Sequence, residues 1–73
     1  MKTPANIKKL ISLYWSHGDI KGIRSCSAIK YGHPLNRITI ANCIKNGEGN
    51  EKTIDIIKEF YLLKLKKYEG INK

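Results

Sequence analysis

Apolar residues recur along this chain at helical intervals, in runs separated by polar, Gly- and Pro-containing breaks. Ile7, Leu10, Ile11 and Tyr14 form the first run. Thr3 and Pro4 precede it as an N-cap hydroxyl and a first-turn proline, so the spacing predicts a helix from about residue 4 to Trp15. Ser16-His17-Gly18 closes it. Asp19 is then the expected N-cap of a second helix, with Ile20 and Ile23 on its buried side and Gly22 weakening it somewhat. This helix ends near Ala28 or continues through Ile29 and Tyr31 to a C-cap at Gly32.

Pro34 pushes His33 out of helical geometry and marks a connection. Asn36 follows as an N-cap, Ile40 and Ile44 share one face, and Asn46-Gly47 supplies the positive φ that ends a helix. The stretch RITIA alternates β-branched residues as a strand would, but the Asn ahead of it and the Asn-Gly behind it assign it to helix. A last helix starts at Asn50 or Glu51. Its acids (Glu51, Asp55, Glu59) sit toward the N-terminal end and Lys64, Lys66 and Lys67 toward the other, as the helix dipole favours. It carries more apolar side chains between Ile54 and Tyr68 than one buried stripe needs. The expectation is one all-α domain over residues 1–73, a small bundle of four short helices, with no internal repeat and no low-complexity segment.

Charge changes the picture. The 73-residue chain has a net charge of +8. Residues 20–47 contain no Asp or Glu, yet include Lys21, Arg24, Lys30, Arg37 and Lys45. Such a segregated basic excess points to a polyanionic partner, whereas the mixed charges of the C-terminal part read as an ordinary solvated helix.

The piece from Asp19 to Tyr61 resembles a helix-turn-helix DNA-binding domain of the phage-repressor, Cro-like or lac-repressor-like kind. The stretch LNRITIANCIKNG, followed by NEKTIDIIKEFY, carries the resemblance. Leu35 corresponds to the apolar turn residue, Asn36 to the cap, Ile40 to the residue that plugs the core, and Cys43 and Ile44 to later core positions. GDIKGI resembles the start of the supporting helix. The resemblance implies a supporting helix over about 20–31, a recognition helix over about 36–46 and a C-terminal helix over about 51–68. It departs from the family in its turn, which HPLN lengthens. It further implies a small sequence-specific DNA-binding protein, a transcriptional regulator of phage, plasmid or bacterial origin.

The major groove admits one α-helix, so the outer side of the helix over 36–46 is the expected reading surface. Arg37 can donate to a guanine edge and Asn42 can pair with an adenine edge. Ile38 and Ala41 suit a thymine methyl. Thr39 and Lys45 suit phosphates, which position a protein without specifying sequence. The helix N-terminus at Asn36 can meet a phosphate, with Lys30, His33 and Lys21 flanking the backbone. Taken singly, each of these residues also has an ordinary surface role. Together, within an acid-free stretch, they favour duplex DNA as the partner. A homodimer through Ile54, Ile57, Phe60, Tyr61 and Leu65 would use the apolar surplus of the last helix and read two half-sites.

Other classes find less support. Cys26 and Cys43 form no CxxC pair, and the spacing of His17, Cys26, His33 and Cys43 matches no zinc site, so free thiols and no metal are expected. No motif joins a nucleophile, a base and an orienting residue, and NGEGNEKT lacks the GK[ST] of a phosphate loop, so neither an enzyme nor a cofactor is expected. No signal peptide and no bilayer-length apolar run are evident, which suggests a bacterial cytoplasm or nucleoid. Two alternatives stay open. One is a helix-turn-helix-like module, from a phage structural or host-takeover protein, that binds a protein through its basic face or its last helix. The other is membrane-surface binding by the Lys-rich end, which Asp55, Glu59 and Glu69 oppose.

Overall fold

The computed structural model describes residues 1–71 and is all-α: α1 (Ala5–Tyr14), α2 (Asp19–Tyr31), α3 (Arg37–Asn46) and α4 (Glu51–Ile71). Helix α4 packs against each of the other three, and α2 packs against α3. The core consists of Ile7, Ile23, Ile40, Cys43, Ile54, Ile56, Ile57 and Tyr61. Each isoleucine so enclosed contributes about 1.5–3 kcal/mol.

Side-chain and backbone caps set the borders of α3. Asn36 Oδ1 accepts from the backbone N–H groups of Ile38 (2.7 Å) and Thr39 (3.3 Å). Gly47 ends the helix at φ +73°, and Gly32 ends α2 at φ +84°, conformations that a Cβ would strain. Asn50 caps α4 through Thr53 N–H at 2.8 Å. The segment before α1 is fastened across the α3–α4 connection: Thr3 N–H donates to Gly47 O (2.8 Å) and Gly49 N–H donates to Met1 O (2.9 Å).

Two expected caps are corrected. Thr3 does not cap α1, which begins at Ala5 after Pro4 and has no side-chain cap. Thr3 is instead buried, and its N–H serves the tie to Gly47. Asp19 does not cap α2 either; it is the first helical residue, after Gly18. Its carboxylate points away from the α2 amides and accepts from Ser16 N–H (3.1 Å), Ser16 Oγ (2.9 Å), Tyr61 Oη (2.7 Å) and Lys64 Nζ (2.8 Å).

The apolar surplus of α4 also has a different use. Ile54, Ile57 and Tyr61, expected at a homodimer face, are enclosed in the core of a single chain, and Phe60 and Leu65 are half-buried. A helix flanked by three others needs a wide apolar arc. Among the described residues, the large apolar side chains that α4 leaves exposed are Leu62, Leu63 and Tyr68, with the Tyr68 ring stacked on Tyr14 at 5.0 Å between centroids.

Candidate nucleic-acid interface

Helix α3 buries Ile40 and Cys43 and half-buries Ile44. Stepping about 100° per residue from Ile40, side chains at Ile38, Asn42 and Lys45 point furthest from the core. All three are exposed, and Ile38 retains 68 % of its surface. Thr39 lies on one flank of this strip and is exposed; Arg37 and the half-buried Ala41 lie on the other. Asn36 is exposed but its carboxamide oxygen is committed to the cap. The outer strip is therefore apolar, amide and ammonium in turn, with no acid.

The Arg37 flank borders a cleft of about 380 Å³ lined by His17, Ile20, Lys21, Arg24 and Arg37. Three segments supply these side chains: the α1–α2 connection, the first two turns of α2, and the first turn of α3. Arg24 Nε donates to Leu35 O at 3.1 Å, which fixes the guanidinium against the α2–α3 connection. Among the described residues, Lys21, Arg24 and Arg37 form no ion pair. His17 and Arg24 were not expected at the interface from sequence, and Lys21 only as a flank. The acid-free stretch was the one signal for Lys21 and Arg24, and nothing in the sequence pointed to His17; their meeting with Arg37 depends on how α2 and α3 pack.

Ser27 supports this junction from beneath. It is fully buried; its Oγ donates to Arg24 O at 2.7 Å and accepts from Leu35 N–H at 2.9 Å. The connection over residues 32–36 is thus tied to α2 by a buried hydroxyl and an exposed guanidinium. Leu35 packs against the core beside it.

Lys30 and His33 do not join the cleft. Lys30 lies on the α4 side of α2, with Nζ 2.8 Å from Glu59 Oε2. That hydrogen bond raises its pKa above the ordinary value. His33 is exposed in the α2–α3 connection. The two cysteines are free thiols. Burial pushes the Cys43 thiol up from its usual range, which disfavours the reactive thiolate. Among the described residues, no three His, Cys, Asp or Glu side chains are grouped to hold a metal, and no helix is long and apolar enough to cross a membrane.

Compared with protein-family models, curated proteins and solved structures, the chain matches none.

Proposed function

We propose that this protein binds duplex DNA as a small helix-turn-helix regulator, with α3 in the major groove. The observation that carries the reading is the exposed, acid-free outer strip of α3 beside a cleft of unpaired basic side chains. Positive charge that is not matched inside a protein is available to phosphates. In this arrangement Ile38 meets a thymine methyl, Asn42 pairs with an adenine edge, and Lys45 reaches a phosphate. Thr39 and the amides at Asn36 flank the strip.

The test is fluorescence anisotropy of a labelled random-sequence duplex, titrated with protein at several salt concentrations. Binding should weaken with a log–log slope of about −0.9 for each phosphate neutralised. Ile38→Ala and Asn42→Ala should then flatten base preference in a selection from a randomised duplex. Folded protein that fails to bind at low salt defeats the proposal.

A second reading is favoured by one observation. An apolar concavity of about 330 Å³ lies between α2 and α4, lined by Cys26, Phe60, Leu63, Lys64, Lys67 and Tyr68. In that reading α4 is the interaction surface, for a protein partner or a second copy. Binding that tracks Leu63→Asp but ignores Asn42→Ala would favour it over DNA.

A further inference from the structure

We infer that the cleft between α2 and α3 is a phosphate site, holding one phosphodiester of the duplex backbone on Lys21, Arg24 and Arg37 with His17 at its rim. This rests on the DNA-binding reading above and adds a division of labour to it. Arg37 positions the protein and does not read a base; sequence is read by the Ile38–Asn42 strip.

Geometry separates the two roles. Arg37 falls roughly 60° around α3 from the buried Ile40, while Ile38 and Asn42 fall roughly 160° away from it. A side chain on the outer strip meets base edges when the helix lies in the groove. One on the flank faces the groove wall, where the phosphates are. Arg37 also lines the same concavity as Lys21 and Arg24, which belong to a different helix. A helix packed beside the recognition helix crosses the backbone, not the bases.

Charge points the same way. Basic side chains converging on one concavity repel each other unless an anion lies between them. No acid lines the cleft, and residues 20–47 supply none. The nearest acid in sequence, Asp19, is buried and bound to Lys64, Tyr61 and Ser16. Arg24 is held in advance: one donor is given to Leu35 O, and the others form no hydrogen bond among the described residues. A guanidinium fixed in this way loses less freedom on taking a phosphate and offers paired N–H donors to two oxygens. Ile20 lines the same cleft and adds an apolar wall, where a charge-assisted hydrogen bond is stronger than in open water. The first turn of α3, the positive end of its dipole, lies alongside.

The experiment uses the full chain and two probes. In the first arm, Lys21→Gln/Arg37→Gln and the control Lys58→Gln are compared with wild type on a random-sequence duplex and on a duplex that wild type selects from a randomised pool. Far-UV circular dichroism and the thermal midpoint check that each variant is folded. The double variant should lose about tenfold in affinity on both duplexes, keep the ratio between them, and show a salt slope shallower by about 1. Lys58→Gln should leave the slope closer to wild type. A double variant that keeps its slope but loses the ratio would make Arg37 a base reader and overturn the inference alone. In the second arm, inorganic phosphate is titrated into wild type while the NMR signals of Arg24 Nε–H and the Arg37 backbone amide are followed. Saturable shifts absent from the double variant support the site. If wild type binds no duplex, the DNA reading falls and the duplex assignment falls with it. Saturable phosphate shifts in that case would still mark an anion site of other use. No shifts and no slope change together overturn the inference in full.

Discussion

Both sides of α2 carry charged side chains and treat those charges in opposite ways. Toward α4, Asp19 and Lys64 meet at 2.8 Å with side chains only 5 % and 13 % exposed, and Tyr61 and Ser16 complete the arrangement. Lys64 also donates to Tyr14 O, so the pair ties α1, α2 and α4 together. Further along the same side, Lys30 pairs with Glu59. Toward α3, Lys21, Arg24 and Arg37 share a cleft with no acid at all. Composition alone does not separate paired from unpaired basic charge here; that distinction is visible only once the helices are packed.

The comparison breaks most readily at Asp19. Burial by itself would raise its carboxyl, but hydrogen bonds from Lys64, Tyr61 and Ser16 outweigh that and hold it below the ordinary 3.8. Asp19→Ala leaves Lys64 half-buried without its counter-charge and Tyr61 Oη without its acceptor. Such a loss costs about 3–5 kcal/mol, a large part of what a domain of this size has. Urea unfolding followed by circular dichroism would measure it; a change below about 1 kcal/mol would show that the pair merely decorates the fold. The same group makes stability depend on pH. The folded carboxyl titrates below the unfolded one, so its contribution is complete above about pH 4 and disappears as pH falls through the folded value. Tyr61 behaves in the opposite sense. Burial, with Asp19 beside it, pushes its hydroxyl far up, so that contribution is complete below about pH 10 and declines above it. A thermal midpoint that stayed flat from pH 7 down to pH 2 would contradict the buried carboxylate.

The seam between α2 and α4 offers a second test of the structural side. Gly22 reads in sequence as a weak point in a helix, and Gly to Ala at such a position ordinarily stabilises by about 1 kcal/mol. In the fold, a Cβ at Gly22 would stand 2.7 Å from the Phe60 ring. Gly22→Ala should therefore destabilise, by about 1–3 kcal/mol as for other overpacked sites. Phe60→Leu in the same chain should return part of the loss. A stabilised Gly22→Ala single variant would mean that the ring moves freely and that the seam is loose.

Local borders and long-range packing are legible in the sequence to different degrees. The periods of the apolar residues indicate four helices, and local chemistry marks the Asn36 and Gly47 borders; the end of α2 stayed open between Ala28 and Gly32, and the start of α4 between Asn50 and Glu51, until the fold placed Gly32 and Asn50 as the caps. Asp19 was misplaced because an acid before an apolar run reads as a cap, whereas its partners Tyr61 and Lys64 are more than forty residues away in the chain. Ile54, Ile57 and Tyr61 looked like a dimer face because periodicity counts apolar positions and not the number of neighbouring helices. That Ile38, Asn42 and Lys45 lie on the outer side of α3 was legible from helical spacing, along with Arg37, Thr39 and Ala41, which the fold places on its flanks. The cleft was not, since His17, Lys21 and Arg24 meet Arg37 only through the packing of α2 on α3.

Asn36 tests whether the reading side is held rigid by local bonds. Asn36→Ala removes the acceptor for Ile38 and Thr39 N–H and should cost about 1 kcal/mol. The fraying would fall on the turn that carries Arg37 and Ile38, so DNA affinity should drop along with stability. Asn36→Ser, which can still cap, should restore both. Affinity that recovered in Asn36→Ser while stability did not would separate the cap from the surface.

The smallest effect is expected at Lys30, and it sharpens the comparison most. By composition Lys30 is one more cation in the acid-free stretch, and by that reading it flanks the DNA backbone. By position it shares with Asp19 the side of α2 that faces α4, and its charge is met by Glu59. Exposed pairs of this kind contribute little to stability. Lys30→Ala should leave the urea midpoint near wild type, and should leave the salt slope of DNA binding closer to wild type than Arg37→Gln does. Glu59→Ala is the complementary variant: it releases Lys30 from its partner and removes one negative charge, so it should if anything tighten binding at low salt. A Lys30→Ala slope as shallow as that of an Arg37 variant would place the phosphate path along the whole of α2, across the side that its ion pairs now assign to the fold.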